Sequence, residues 1–362
     1  MIVSFPHLGY AWVPLKTLFD KHGIPCVVPP RSSASALTLG VGHSPETACL
    51  PYKILLGNMI EGLEQGADTL ITVGGQALCR LGYYARLHEA TLRDLGFDFR
   101  MLVFDWQDTQ ITALARFVRS ALGPHAPWGD VIASMVFGFR QLRVMQALED
   151  RMRYLRPRVS DAGGLAATWE HAGDEVSRAH THEELRGVRR RLMATLDSVP
   201  LKRSADPTRV LLTGEFFLLV DAFASMEVEE ELGRMGVHVE RPASLLGWAR
   251  AWLFLEAVGL NRAKRRRRAA WPYLRRDVSG DVLNSVGDIV LRRGQIDGVV
   301  HLMPLMCTPE LVAQNVMPRL QRDYGLPVLS LVMDERVSRS AVLTRLEAFV
   351  DLLERRRQRQ PK

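Results

Sequence analysis

The sequence predicts an α/β protein with two doubly wound, Rossmann-like (flavodoxin-like) parallel-sheet domains and a helical segment between them. Over residues 1–107, and again over 206–362, short apolar runs alternate with amphipathic stretches, which is the pattern of βαβ units. Residues 108–205 carry long helical patterns and no strand-like run, so we interpret them as a helical insertion. These three segments are the predicted domains, and the last of them ends in a long helix.

Turn-forming residues bound the predicted elements of the N-terminal domain. Prolines end the strands predicted over 1–5 and 26–28, and a pair of glycines ends the apolar run 69–73. The remaining predicted elements of this domain are a strand over 100–104 and helices over 13–22, 51–65 and 79–95.

Turn-forming residues and apolar runs also define the predicted elements of the other two segments. Glycine and proline interrupt the helical insertion near residues 123–124 and 156–164. Apolar runs of the C-terminal domain predict strands over 210–212, 237–239, 297–303 and 328–333. Helical patterns cover 226–235, 310–324 and 339–357, and a basic helical stretch covers 245–268.

Composition places the chain among ordinary globular proteins. Its 362 residues are 47% hydrophobic with a mean hydropathy of −0.03, which excludes disorder, collagen and a coiled-coil rod. No run approaches the roughly 18 uncharged apolar residues of a membrane span, and the start lacks the features of a secretory signal. Four cysteines are too few for a disulfide scaffold. We therefore expect a soluble, cytoplasmic, multidomain protein.

The formal net charge of +7 comes mainly from arginine, since only six of the 47 basic residues are lysine. Two basic runs stand out, at residues 265–268 and 355–359. A basic surface can bind phosphates without sequence preference. No aromatic interleaving or known nucleic-acid motif accompanies the runs, so we interpret them as solvated helix ends and disfavour a nucleic-acid partner.

Three of the four cysteines stand where an open α/β sheet places its ligands. Cys49 and Cys307 precede prolines that can open a helix, and Cys79 follows the strand that ends at Gly74. A helix N-terminus supplies a positive field that favours thiolate, the form that binds metals. Cys26 lies inside an apolar run, which predicts a buried core residue.

The residues alone leave three interpretations of these cysteines open. They are an iron–sulfur or other metal site, ordinary buried cysteines, and a redox thiol. The lack of C-x-x-C excludes zinc ribbons, thioredoxin sites and bacterial ferredoxin runs. Neither G-x-G-x-x-G nor a P-loop occurs, so the chain has no recognisable ATP site of its own.

Four sequence blocks carry a resemblance to a known family. They are Ser-Pro-Glu-Thr-Ala-Cys-Leu-Pro-Tyr-Lys at 44–53 with Leu-Gly-Asn at 56–58, Gly-Gly at 74–75 with Cys-Arg-Leu-Gly-Tyr-Tyr at 79–84, His-Leu-Met-Pro-Leu-Met-Cys-Thr-Pro-Glu at 301–310, and Leu-Ser-Leu-Val-Met-Asp-Glu at 329–335 running into 343–349. The chain resembles the 2-hydroxyacyl-CoA dehydratase D-component superfamily, and within it the stand-alone CoA-dehydratase activase-related proteins. The blocks span both α/β domains in order, and the helical insertion carries the weakest resemblance.

The resemblance implies a [4Fe-4S] cluster held by Cys49, Cys79 and Cys307, whose sulfur atoms would face one cleft between the two domains. In the related dehydratases the fourth iron is left to solvent or substrate, and an ATP-dependent activase delivers the electron. Lys53 and Arg80 would lie near the cluster and tune its reduction potential. Where many activase-related members have Gly-Gly-Cys-Gly-Pro-Cys, this chain has Gly-Gly-Gln-Ala-Leu-Cys, which argues against a larger cluster.

The leading hypothesis is an iron–sulfur protein of anaerobic metabolism that transfers electrons or catalyses a reaction after an activase reduces it. A related dehydratase subunit or a second copy of the chain is the expected further partner. The alternatives are a radical 2-hydroxyacyl-CoA dehydratase (lyase) subunit, a low-potential reductase, or a cluster-free scaffold that binds an anion. No catalytic residue is assigned. Glu46 and Glu310 could act as acid–base groups, but both stand near helix starts, and we favour interaction with the helix dipole.

Overall fold

The computed structural model describes residues 1–75, 79–105, 111–123, 125–159, 163–202, 206–250, 262–278 and 280–359. Two four-stranded parallel sheets with interleaved helices confirm the predicted α/β, Rossmann-like fold class. The chain divides into two compact units. The first unit comprises Met1–Ala147, His171–Leu192 and Leu245–Asn261, and the second comprises Leu148–Glu170, Met193–Ser244 and Arg262–Lys362.

The sheet of the first unit has the strand order β2-β1-β3-β4. Its strands are β1 (Val3–Ser4), β2 (Cys26–Val27), β3 (Thr69–Gly74) and β4 (Arg100–Asp105). The helices of this region are α1 (Trp12–Lys21), α2 (Ala34–Gly42), α3 (Leu50–Glu64), α4 (Leu81–Asp94) and α5 (Ile111–Leu122). Side chains of α3 and α4 form one apolar cluster with Leu70 of β3, and side chains of α1 and α5 form another with Ile71. Neighbouring strand residues point to opposite faces, so helices cover both faces of this sheet.

Helix α2 has no counterpart among the predicted elements. Its first turn is capped by the Ser33 hydroxyl, which accepts a hydrogen bond from the Ala36 N–H at 3.2 Å. Two glycines bring its backbone against that of α3: a Cβ at Gly40 would lie 1.7 Å from the Lys53 carbonyl oxygen, and one at Gly57 would lie 1.8 Å from the Ala36 carbonyl oxygen. No larger side chain fits at either contact, so α3 is held closely against α2.

After α5, the described part of the chain up to the next strand forms further helices. They are α6 (Trp128–Leu155), α7 (Gly163–Ser177) and α8 (His182–Asp197), with a 3₁₀ turn at Arg156–Arg158 after α6. None of the described helices is both long enough and apolar enough to cross a membrane.

The sheet of the second unit has the strand order β6-β5-β7-β8. Its strands are β5 (Arg209–Gly214), β6 (His238–Glu240), β7 (Gly298–Pro304) and β8 (Val328–Met333). The helices that accompany them along the chain are α9 (Phe216–Val220), α10 (Val228–Arg234), α11 (Leu245–Arg250), α12 (Arg262–Ala270), α13 (Val282–Arg292), α14 (Thr308–Tyr324) and α15 (Arg339–Arg359). Helices α9 and α13 were not predicted. The predicted basic helical stretch over 245–268 contains α11 and α12, and its residues 251–261 lie outside the described part of the chain.

Candidate functional site

The predicted site residues lie where strands end and helices begin. In the first unit β3 ends at Gly74, and the chain turns at Gly75, whose φ of 137° is favoured by glycine alone. Cys79 follows shortly before α4, and Cys49 is the N-cap of α3. In the second unit Cys307 is the N-cap of α14, just after β7. Unpaired N–H groups and the helix dipole make these positions suitable for an anionic ligand.

Cys49 is buried and lies against a tyrosine of the neighbouring helix α4. Its Sγ is 2.7 Å from the Tyr84 hydroxyl oxygen. Burial and the charge of Cys49 raise the pKa of Tyr84 above its usual range, so the hydroxyl keeps its proton and can donate it to a thiolate. The charge of Cys79 adds a smaller increase to the same pKa.

Aromatic packing holds Tyr84 in this position. The Tyr52 ring meets the Tyr84 ring edge-on with 4.8 Å between centroids, and it stacks on His88 at 4.2 Å. His88 Nε2 lies 3.1 Å from the Tyr52 carbonyl oxygen. Burial lowers the pKa of His88 to about 4, so the imidazole is neutral at pH 7 and can donate to that carbonyl.

Lys53 and Arg80 both contact the loop that leads into Cys49. Lys53 is almost fully buried, and its Nζ lies 3.4 Å from the Glu46 carbonyl oxygen. Arg80 is exposed and donates to the Thr47 carbonyl oxygen at 3.0 Å. Two cations thus tie down the loop before Cys49. Their expected influence on a reduction potential stays a prediction.

The structure corrects the expectation for Cys26. This residue is half-buried rather than buried, because β2 is the edge strand of its sheet. Burial, as the main cause, nevertheless raises the pKa of its thiol to about 12.

Alkylation should distinguish Cys26 from Cys79 although both are half-buried. Iodoacetamide reacts with thiolate, and near pH 8 a thiol with a pKa of about 12 is almost wholly protonated. We expect Cys79 to be labelled at least about tenfold faster than Cys26 in metal-free protein, as followed by peptide mass spectrometry. Urea-unfolded protein is the control, in which the two cysteines should react alike. Equal rates in the folded protein would contradict this expectation.

The expectation for the two glutamates also needs correction. Glu46 lies in an exposed turn before α3 rather than in its first turn. Glu310 does lie in the first turn of α14, but it is fully buried and has side-chain partners of its own. The fully buried His301 of β7 places Nε2 2.7 Å from Glu310 Oε2, and the Ser285 hydroxyl donates to the same oxygen at 3.1 Å.

Two more carboxylates of the second unit lie near Glu310. Glu215 directly follows β5 and accepts hydrogen bonds from the Phe217 and Leu218 N–H groups at 3.1 and 3.0 Å. Burial and the charge of Asp281 raise the pKa of Glu215 to about 8. Burial and the charge of Glu310 raise the pKa of Asp281 to about 6. Both side chains keep a partly accessible surface although protein atoms surround their carboxylates.

We define Glu215, Asp281, Ser285, His301 and Glu310 as the acid cluster of the second unit. A hydrogen bond joins His301 and Glu310 within it. Sequence reasoning missed it as a group. One signal was available: β7 reads Gly-Val-Val-His-Leu-Met-Pro, and a histidine inside a fully buried strand needs a polar partner. Another is that Glu215 and Glu310 both follow the carboxyl ends of parallel strands, where ligands of such sheets collect.

The residues of the first unit fit the chemistry of the implied cluster. Thiolates are the usual ligands of iron–sulfur clusters, and Cys49 and Cys79 both lie at helix starts, Cys49 with the Tyr84 hydroxyl as a hydrogen-bond donor. Among the described residues, no group of three or more His, Cys, Asp or Glu side chains could hold a metal ion. Residues 76–78 of the Gly-Gly-Gln-Ala-Leu-Cys block lie outside the described part. The three-cysteine set and its common cleft therefore stay predictions.

No protein-family model matches the chain, and no curated protein matches it either. The family resemblance rests on the sequence blocks alone.

Proposed function

We propose that this chain is an iron–sulfur protein of the 2-hydroxyacyl-CoA dehydratase superfamily, an electron-transfer or catalytic component that an ATP-dependent activase reduces. The observation that carries the proposal is the 2.7 Å contact between the Cys49 sulfur and the Tyr84 hydroxyl at the start of α3, together with the position of Cys79 just before α4. Cys307 has the corresponding setting in the second unit. The order of the family's sequence blocks along the chain supports the same assignment.

The three cysteines would hold a [4Fe-4S] cluster, which supplies one-electron chemistry when bound. The chain's own groups suit the negative charge of such a ligand set. The Tyr84 hydroxyl can donate to the Cys49 thiolate, and Lys53 and Arg80 place positive charge beside the loop before it. Hydrogen bonds to the sulfur atoms and nearby cations both favour the more negative, reduced form of a cluster.

Iron binding tests the proposal directly. Wild-type protein reconstituted anaerobically with iron and sulfide should bind about four irons per chain. Cys307→Ser should lower the iron content sharply because a ligand is lost, whereas Cys26→Ser is the matched control and should leave it near the wild-type value. Iron and acid-labile sulfide assays give the result. Wild-type protein that binds no iron would refute the proposal and favour the cluster-free scaffold.

The reduction potential gives a second readout of the same site. Arg80→Ala should keep the iron but lower the potential, because the positive charge favours the more negative reduced cluster. Arg86, exposed on the same helix α4, is the matched control for removal of a cation. Equal potentials in wild type and Arg80→Ala would show that Arg80 only holds the loop.

A further inference from the structure

One face of α12 carries cations that the iron–sulfur proposal does not use. Lys264, Arg267, Arg268 and Trp271 follow one another at i, i+3, i+4 and i+7, the spacing of a single helix face. The first three lie within α12, and Trp271 stands in the turn directly after it. All four side chains are exposed, Trp271 by 51%. We call these four residues the cationic face.

The other side of α12 is fixed to α13. Arg266 Nε donates to Asp288 Oδ1 at 2.9 Å, and Ala270 is buried in the apolar core of the second unit. The two backbones are so close that a Cβ at Gly287 would lie 2.6 Å from the Arg266 carbonyl oxygen. The packing thus holds α12 from behind and leaves the cationic face to solvent.

No ion pair within the described part of the chain neutralises the cations of this face. Lys264, Arg267 and Arg268 make no ion pair with any residue that the structure describes, in contrast to Arg266. Arg275 and Arg276 are exposed and continue the positive charge beyond the turn. Asp277 is the single acidic residue of the sequence from 262 to 278, which holds eight basic ones. A partner with negative charge would complement this surface.

We infer that the cationic face binds single-stranded nucleic acid. The planar fork of arginine binds phosphate oxygens through two parallel hydrogen bonds, and an exposed indole offers a flat surface on which an unpaired base stacks. A duplex keeps its bases stacked on each other, and an acidic peptide has carboxylates but no base for the indole. A single strand is the partner that engages both features.

The sequence alone does not identify Trp271 as part of this surface. Trp271 follows the arginine run instead of standing inside it, so the run shows no interleaving. Trp271 comes one residue after the end of α12, three positions after Arg268 and four after Arg267. This inference revises the expectation that nucleic acid is disfavoured, and it does not depend on the iron–sulfur proposal.

Fluorescence anisotropy with a labelled 20-residue oligouridylate and the full-length protein tests the inference. The double variant Arg267→Glu/Arg268→Glu should weaken binding more than about tenfold. A plot of the logarithm of the association constant against the logarithm of the salt concentration should also become less steep by about 1.4, the value for two lost phosphate contacts. Trp271→Ala should weaken binding about tenfold through the loss of stacking. An oligothymidylate of equal length shows whether the sugar matters.

A charge-matched control separates this face from the general positive charge of the protein. Arg189 and Arg190 are exposed neighbours on α8 in the first unit, so Arg189→Glu/Arg190→Glu changes the net charge equally. It should leave binding within about threefold of wild type. Any one of three results would overturn the inference. The first is equal weakening by both double variants, and the second is unchanged binding by Trp271→Ala. The third is displacement of the oligonucleotide by polyglutamate as readily as by unlabelled oligouridylate. Thermal unfolding of all variants verifies that they are folded.

Discussion

Replacing Arg241 with Met should lower the free energy of unfolding by about 3 kcal/mol, because the buried Glu229 and the half-buried Glu149 lose a partner. The Arg241 guanidinium is almost fully buried, and it donates to Glu229 at 2.6 Å and also to Glu149. Arg153 and Arg156 still donate to Glu229, at 3.2 and 3.0 Å, which keeps the loss at the lower end of the range for broken buried ion pairs. Urea unfolding followed by circular dichroism measures the change.

An exposed ion pair provides the control for this loss. Arg191 on α8 pairs with Glu175 at 3.0 Å, and its side chain is 65% exposed. Arg191→Met should cost about 0–1 kcal/mol, because water screens and replaces such a pair. A loss of similar size in both variants would contradict the importance of the buried network.

The same network makes stability depend on acid. Burial alone would raise the pKa of Glu229, but Arg153, Arg241 and Arg156 hold it well below its usual range. A carboxylate with a pKa lowered by folding stabilises the protein above its unfolded pKa of about 4.5. The Arg241→Met effect should therefore shrink as the pH falls below that value.

Glu215→Gln should make the protein about 1–3 kcal/mol more stable than wild type at pH 8 and leave it nearly unchanged at pH 5. Glu215 has a pKa of about 8 in the folded state, whereas its ordinary value is 4.5. Between these values the folded state keeps a proton that the unfolded state releases, so wild-type stability falls as the pH rises. Glutamine cannot ionise, and this contribution to the pH dependence disappears. The partly accessible position of Glu215 limits the size of the effect.

Thermal unfolding of both proteins between pH 5 and pH 9 measures the difference. Glu354 is exposed on α15, and Glu354→Gln is the matched control, which should follow the wild-type curve. Parallel curves for Glu215→Gln and wild type would mean that Glu215 is ionised in the folded protein at neutral pH.

Elements with a strong local signal were predictable from the sequence. Strand β8 lies over Val328–Met333 as predicted, because an apolar run that only Ser330 interrupts is bounded by Pro327 and Asp334. Helix α2 was missed because two of its nine residues, Gly40 and Gly42, weaken the helical pattern, while its tight packing on α3 depends on one of them. Local propensity carries no information about that contact.

The candidate site likewise has features that were predictable from the sequence and features that were not. The positions of Cys49, Cys79 and Cys307 at helix starts follow from nearby prolines and strand ends, and these were predictable. The contact between Cys49 and Tyr84 depends on how α3 packs beside α4, and so does not follow from spacing. The partners of Glu310 likewise come from β7 and α13, which only the folded sheet brings to it.

The glycine contact between α2 and α3 has a consequence for recognising evolutionary relatives of this protein. Any other residue at either position would place its Cβ within 2 Å of the opposite backbone. Neither glycine can therefore be substituted unless the helices separate. The cysteines can be lost as soon as their chemistry is no longer under selection. Gly40 and Gly57 would persist for as long as this helix pair exists. A diverged relative that retains both glycines without the cysteines would record a change of activity on an inherited scaffold.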